Sequence, residues 1–187
     1  GFGNTAVGDR SLLNNTTGVF NTALGIQALD NNQTGRHNTA LGSRALLAND
    51  LGSYNTAGGY EALTRNKSGN YNSAFGTSAL FFNTMGYKNS AFGYSALHDN
   101  TVGLNNAAFG YHALFRNTIG ADNTAMGISA LGSNIAGNQN TAVGAYSARN
   151  SSGSYNSAFG YAALYNNGQS SNTAIGSYSL YDNSLGN

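Results

Sequence analysis

The chain has 187 residues, with 26 Gly, no Cys, no Pro and no Trp, and only 8% of its residues are charged. A formal net charge of +1 offers no field to draw nucleic acid or an anionic bilayer, and without Cys there is no disulfide framework. No apolar run approaches the roughly 18 residues that cross a bilayer, so direct membrane insertion is not expected.

The chain repeats itself. "NTALGIQALDNNQTGRH" at 21–37 is followed at once by "NTALGSRALLANDLGSY". Asn opens the unit at Asn4, Asn21, Asn38, Asn55, Asn72, Asn89, Asn106, Asn123, Asn140, Asn156 and Asn172. The first eight steps are 17 residues and the last two are 16, so eleven copies fill the chain. No composition shift interrupts the array, and residues 1–187 read as one continuous repeat domain. Low charge with abundant Gly, Asn and Ser is also a disordered composition, but disorder does not require the same residue in the same phase eleven times. Neither end shows an obvious polar cap, which solenoid termini usually need, so a segment of a longer fibre is expected.

Within the unit, position 1 is always Asn, position 3 always Ala and position 5 always Gly. "NTAVG" alternates polar, small and apolar residues as a short strand does, and its Gly permits the positive φ of a corner. Gly8, Gly25, Gly42 and Gly93 are examples of that corner row. Position 8 is Ala or Ser and position 9 is Leu except at Ala148, so a second, shorter strand is expected on "AL". It ends on a position 12 row of Asn, which includes Asn32 and Asn49, and on the Gly that follows. That pairing is a turn signature in which Asn tolerates left-handed geometry. A helix is excluded because each interior Gly costs it about 1 kcal/mol. Two strands and two turns make one coil of a flattened, all-β parallel solenoid, a two-sided β-roll of eleven coils. At about 4.8 Å per coil it spans roughly 50 Å. The Asn rows at positions 1 and 12, among them Asn21, Asn38, Asn32 and Asn49, are expected to hydrogen-bond along the axis as ladders.

Alternation makes a further claim. If Ala at position 3 faces the interior, position 4 faces out: Val7, Leu24, Leu41, Gly58, Phe75, Phe92, Phe109, Met126, Val143, Phe159 and Ile175. An exposed stripe of that length exceeds what soluble monomers tolerate, so association of copies is expected. The inverse assignment, with position 4 inside and Ala outside, is the alternative.

The unit "NTAVG…AL…N…G" resembles the head repeats of trimeric autotransporter adhesins, roughly S-V-A-I-G-x-x-S-x-A-x-G-x-x. "TAVG" at 5–8 and "TAIG" at 173–176 align with the A-I-G core of that pattern. It also looks like repeat arrays of bacteriophage tail fibres and tailspikes. The resemblance covers essentially the whole chain and implies a left-handed, homotrimeric β-roll displayed outside a cell or on a virion tail. The unit here is longer, which implies one longer outward turn.

Chemistry-bearing residues are sparse. His37, His98 and His112 fall at positions 17, 10 and 7, so they do not stack as a metal row, and the seven acids scatter over the unit. Nothing resembles a calcium roll or a paired-carboxylate site, so no catalytic residue, metal or cofactor is expected. The tyrosines are the one candidate for recognition. The shortened units begin at Asn140 and Asn156, and Gly168 arrives early there. They are expected to re-aim Tyr146, Tyr155, Tyr161 and Tyr165 into an aromatic cluster facing a cell-surface glycan or receptor. The expected function is a structural extracellular fibre segment of an adhesin or phage tail fibre. It would act as a rigid spacer and display surface, with the receptor site outside this segment. The alternatives are a self-assembling extracellular filament or matrix protein and an ice-binding solenoid. The last would need the Thr row of Thr5, Thr22, Thr39 and Thr56 to continue, and Ser73, Ser90 and Ala107 interrupt it.

Overall fold

A computed structural model describes residues 1–183. Eleven three-residue strands, from Thr5–Val7 and Thr22–Leu24 to Ser157–Phe159 and Thr173–Ile175, form one parallel sheet in chain order. Register is strict: Thr22 pairs with Thr39, Ala23 with Ala40 and Leu24 with Leu41. Each strand belongs to one coil, so the chain is a parallel β-solenoid with about 17 residues per turn.

The pleat sends position 3 inward. Ala23, Ala40, Ala57, Ala74, Ala91 and Ala108 are fully buried, while Leu24, Leu41, Phe75 and Phe92 beside them are exposed. From the other wall Ala28 and Leu29, Ala45 and Leu46, and their equivalents fill the same thin core. The alternative with position 4 inside is therefore ruled out.

The second wall differs from expectation. "AL" is not a strand but part of a run of turns, and among the described residues a second sheet exists only where Asn166–Asn167 pairs with Asp182–Asn183. The reason is steric. Successive residues of an extended strand point to opposite faces, whereas Ala28 and Leu29 are both buried. The backbone achieves this by alternating hand. Position 5 Gly is at φ 118–138°, position 7 residues such as Gln27 and Arg44 lie near φ 60°, and Leu29, Leu46 and Leu97 all sit at φ 52°. The sequence places left-handed geometry at the position 12 Asn. It falls instead on positions 7, 9 and 17, where L-residues with a Cβ carry a cost of about 1–2 kcal/mol each.

Bonds between coils offset that strain. Gln27 N–H donates to the Asp9 carbonyl of the preceding coil at 2.8 Å, and Leu29 N–H donates to Ala45 of the following coil at 3.0 Å. Alternating handedness thus points successive amides both up and down the axis. Past the second wall, the amides of Thr16, Thr17 and Gly18 converge on one carbonyl, that of Gln33, at 2.9–3.2 Å.

Two buried Asn ladders close each coil. Asn38 N–H donates to Asn21 Oδ1 at 2.9 Å and Asn49 Nδ2 donates to Asn32 Oδ1 at 2.7 Å. Asn38 and Asn49, from opposite ends of the coil, both donate Nδ2–H to the Gly52 carbonyl at 2.8 Å. A side chain on Gly52 would collide with Asn49 Oδ1, so Gly is required here by crowding and not by φ.

The position 12 ladder is broken once, by Ser151. Asn134 Oδ1, buried below it, has no hydrogen-bond partner in consequence, and along the ladder Asn167 Nδ2 makes just a long 3.4 Å bond to Ser151 Oγ. In the next shortened coil Asn167 donates to the Gln169 carbonyl at 2.8 Å, which shows that Asn fits the shorter turn. Ser151→Asn is therefore expected to stabilise the chain by about 1–2 kcal/mol, the cost of the orphaned oxygen. Urea denaturation reads this directly; an unchanged midpoint would mean that the oxygen is already satisfied by water.

Candidate functional site

Strict register turns every outward position into a column along the axis, and the aromatic residues make the columns visible. At position 4, Phe75, Phe92 and Phe109 stack with centroids 5.2 and 5.1 Å apart. They remain 38%, 37% and 38% exposed even so, because stacking hides only their faces. Gly58 ends this run, and Phe75 leans over the space it leaves, with Cδ1 2.6 Å from where a Cβ would sit. At position 17, Phe20, His37, Tyr54 and Tyr71 form a second stack at 4.9–5.1 Å. At position 10, His98 lies between Phe81 and Phe115 at 5.3 and 5.1 Å.

The three histidines do not converge. His37 is held in the position 17 stack, and His98 bonds Asp99 at 2.7 Å. His112 packs on Tyr111 at 4.0 Å and Phe115 at 4.5 Å. Burial, and secondarily the nearby His98, hold the His112 pKa below its ordinary value. Among the described residues no three His, Cys, Asp or Glu side chains meet as a metal site.

Of the four tyrosines singled out in the sequence, three come together. Tyr146 and Tyr161 pack edge-on at 5.8 Å, and Tyr165 lies across a cleft from them, its hydroxyl accepting a 2.8 Å hydrogen bond from Arg149 Nη1. Tyr155 is not among them. It closes its shortened unit at position 16, the counterpart of position 17 elsewhere, and is exposed on another edge of the coil. Tyr178 and Tyr181 complete the cleft, at 5.3 Å from Tyr161 and 5.0 Å from Tyr165. Phase arithmetic could have found them: positions 7 and 10 of the last three units read Tyr146 and Arg149, Ala162 and Tyr165, Tyr178 and Tyr181. The neighbouring Tyr178 and, after it, burial raise the Tyr161 pKa above its ordinary value.

No protein-family model, no curated protein and no solved structure matches this chain. The functional reading rests on geometry.

Proposed function

We propose that the chain is a rigid segment of an extracellular fibre, of the adhesin or phage tail-fibre kind, that acts as spacer and display surface. One observation carries this reading: the outward row of position 4. Leu24, Leu41, Phe75, Phe92, Phe109, Met126 and Phe159 are exposed along one straight edge of the rod. A monomer in water does not keep such a stripe bare. Packing three copies with these rows toward a common axis covers it and leaves the other columns outside.

Stiffness supports the spacer role. Coils bond their neighbours through backbone amides and, except at the Ser151 break in the position 12 row, through both Asn ladders, so bending requires breaking buried hydrogen bonds. Low charge and a net +1 give no reason to invoke nucleic acid. No described helix is long and apolar enough to cross a membrane. Neither catalysis nor a cofactor belongs to this proposal.

Electron tomography of the producing cell or particle, with gold-labelled antibody to this chain, tests the assignment. Label is expected on thin projections outside the envelope. Label confined to the interior would sink the fibre reading.

A further inference from the structure

We propose that the Tyr-lined cleft over the last three coils is a binding site for an acidic saccharide, held by Arg149. It lies on the edge formed by positions 7 and 10, apart from the position 4 row, so covering that row leaves it open.

The cleft is about 440 Å³ and exists because one column is interrupted. Position 7 carries Tyr146 and Tyr178 in the outer two coils and the buried Ala162 between them. Ala162 is a floor where a third tyrosine would otherwise stand. Tyr161, from position 6, leans over this gap and packs edge-on against both Tyr146 and Tyr178. The stacked pair of Tyr165 and Tyr181 forms the opposite wall. Aromatic faces accept the apolar C–H faces of sugar rings, and phenol groups bond their hydroxyls.

Charge narrows the class. Arg149 stands at one end of the cleft, its guanidinium 5.8 Å from the Tyr146 ring and 5.9 Å from the Tyr165 ring. One Nη1–H is taken by the Tyr165 hydroxyl, which fixes the fork in place, and among the described residues no carboxylate pairs with it. A preset, half-buried guanidinium without a counter-ion fits a planar carboxylate in two-point contact. A free anion would not use the tyrosine faces, and an apolar peptide would leave the arginine unpaired.

Arg149 also walls a smaller hollow of about 110 Å³ on its other side, where Gly132 leaves a gap above Phe115 and Arg116. Arg116 and Arg149 lie two coils apart, about 10 Å along the axis at the inter-strand spacing. The groove therefore runs parallel to the rod and suits a short chain of sugars better than a single ring. This gives the segment a recognition site of its own, beyond the expected role of plain spacer.

Calorimetric titration of the full chain with a hexuronate tetrasaccharide, with sialyllactose and with the carboxyl-reduced form of each tests the proposal. The shared chemistry predicts saturable binding of at least one carboxylated probe. Preference for the tetrasaccharide would indicate a linear polysaccharide as source, and preference for sialyllactose a terminal host-type sugar. Carboxyl reduction and Arg149→Gln should each weaken binding at least tenfold, with the melting temperature of the variant unchanged. Tyr161→Ala should abolish binding, whereas Tyr155→Ala should leave it intact. No saturable binding of either acid, equal binding of the reduced forms, or full binding by a folded Arg149→Gln chain would overturn the proposal.

Discussion

Gly93→Val is expected to destabilise the array by about 3–5 kcal/mol, against about 1 kcal/mol or less for Gly132→Val. Two effects add at Gly93. Its φ of 138° is a region that β-branched residues almost never occupy, a strain of about 1–3 kcal/mol. A Cβ there would also lie 2.5 Å from the Gly110 carbonyl oxygen and 2.7 Å from its carbon, both backbone of the next coil, and forced overpacking costs about 1–3 kcal/mol more. Nothing flexible can give way. Gly132 has no positive φ, and the nearest atom to its Cβ is the Ser129 carbonyl oxygen at 3.0 Å. At its position neighbouring coils already carry Phe115 and Arg149. Urea midpoints of the two variants decide this. Equal shifts would show that position 5 is not a close-packed corner.

The second large effect is expected from the Asn ladder. Asn89 donates Nδ2–H to the Gly103 carbonyl at 2.8 Å, and its Oδ1 accepts from Asn106 N–H at 3.0 Å and Asn106 Nδ2 at 3.2 Å. Asn89→Ala leaves the buried amide of Asn106 without an acceptor. The Gly103 carbonyl keeps Asn100 and the Asn106 side chain keeps the Gly120 carbonyl, so one orphaned amide and a small cavity remain. The loss should be about 2–4 kcal/mol. Asn150→Ala is the control, because Asn150 is exposed and its bond to Asn166 stands in solvent; a change within about 0.5 kcal/mol is expected. Hydrogen exchange should localise the first effect, with faster exchange at the Asn106 amide. A loss no larger than that of Asn150→Ala would remove the ladder from the stability of the rod.

These two residues also show what was legible in the sequence. The first wall could be read from "NTAVG" alone, because period-two alternation put Ala inside and Phe outside once either was placed. The corner at Gly93 followed from its invariance within the array. The second wall could not be read the same way. Leu is rare at positive φ, so nothing in its propensity announces that Leu97 lies at φ 52°. Its signal was indirect: adjacent Ala96 and Leu97 both needed burial, which an extended strand forbids. In the cleft, the shortened units point to Tyr146, Tyr161 and Tyr165, but they group Tyr155 with them by proximity in sequence. Register separates position 17 from positions 6, 7 and 10, and it brings Tyr178 and Tyr181 in from the next coil. Arg149 was passed over because its partner, the Tyr165 hydroxyl, is 16 residues away.

The central claim is that the outward position 4 row is a buried seam between copies. Sedimentation velocity of the soluble chain tests it most directly. The account predicts one species at three times the 19.3 kDa chain mass, and dissociation or unfolding when Phe92 and Phe109 are both replaced by Asp. A fully folded monomer that stays monomeric across a hundredfold range of concentration would contradict it.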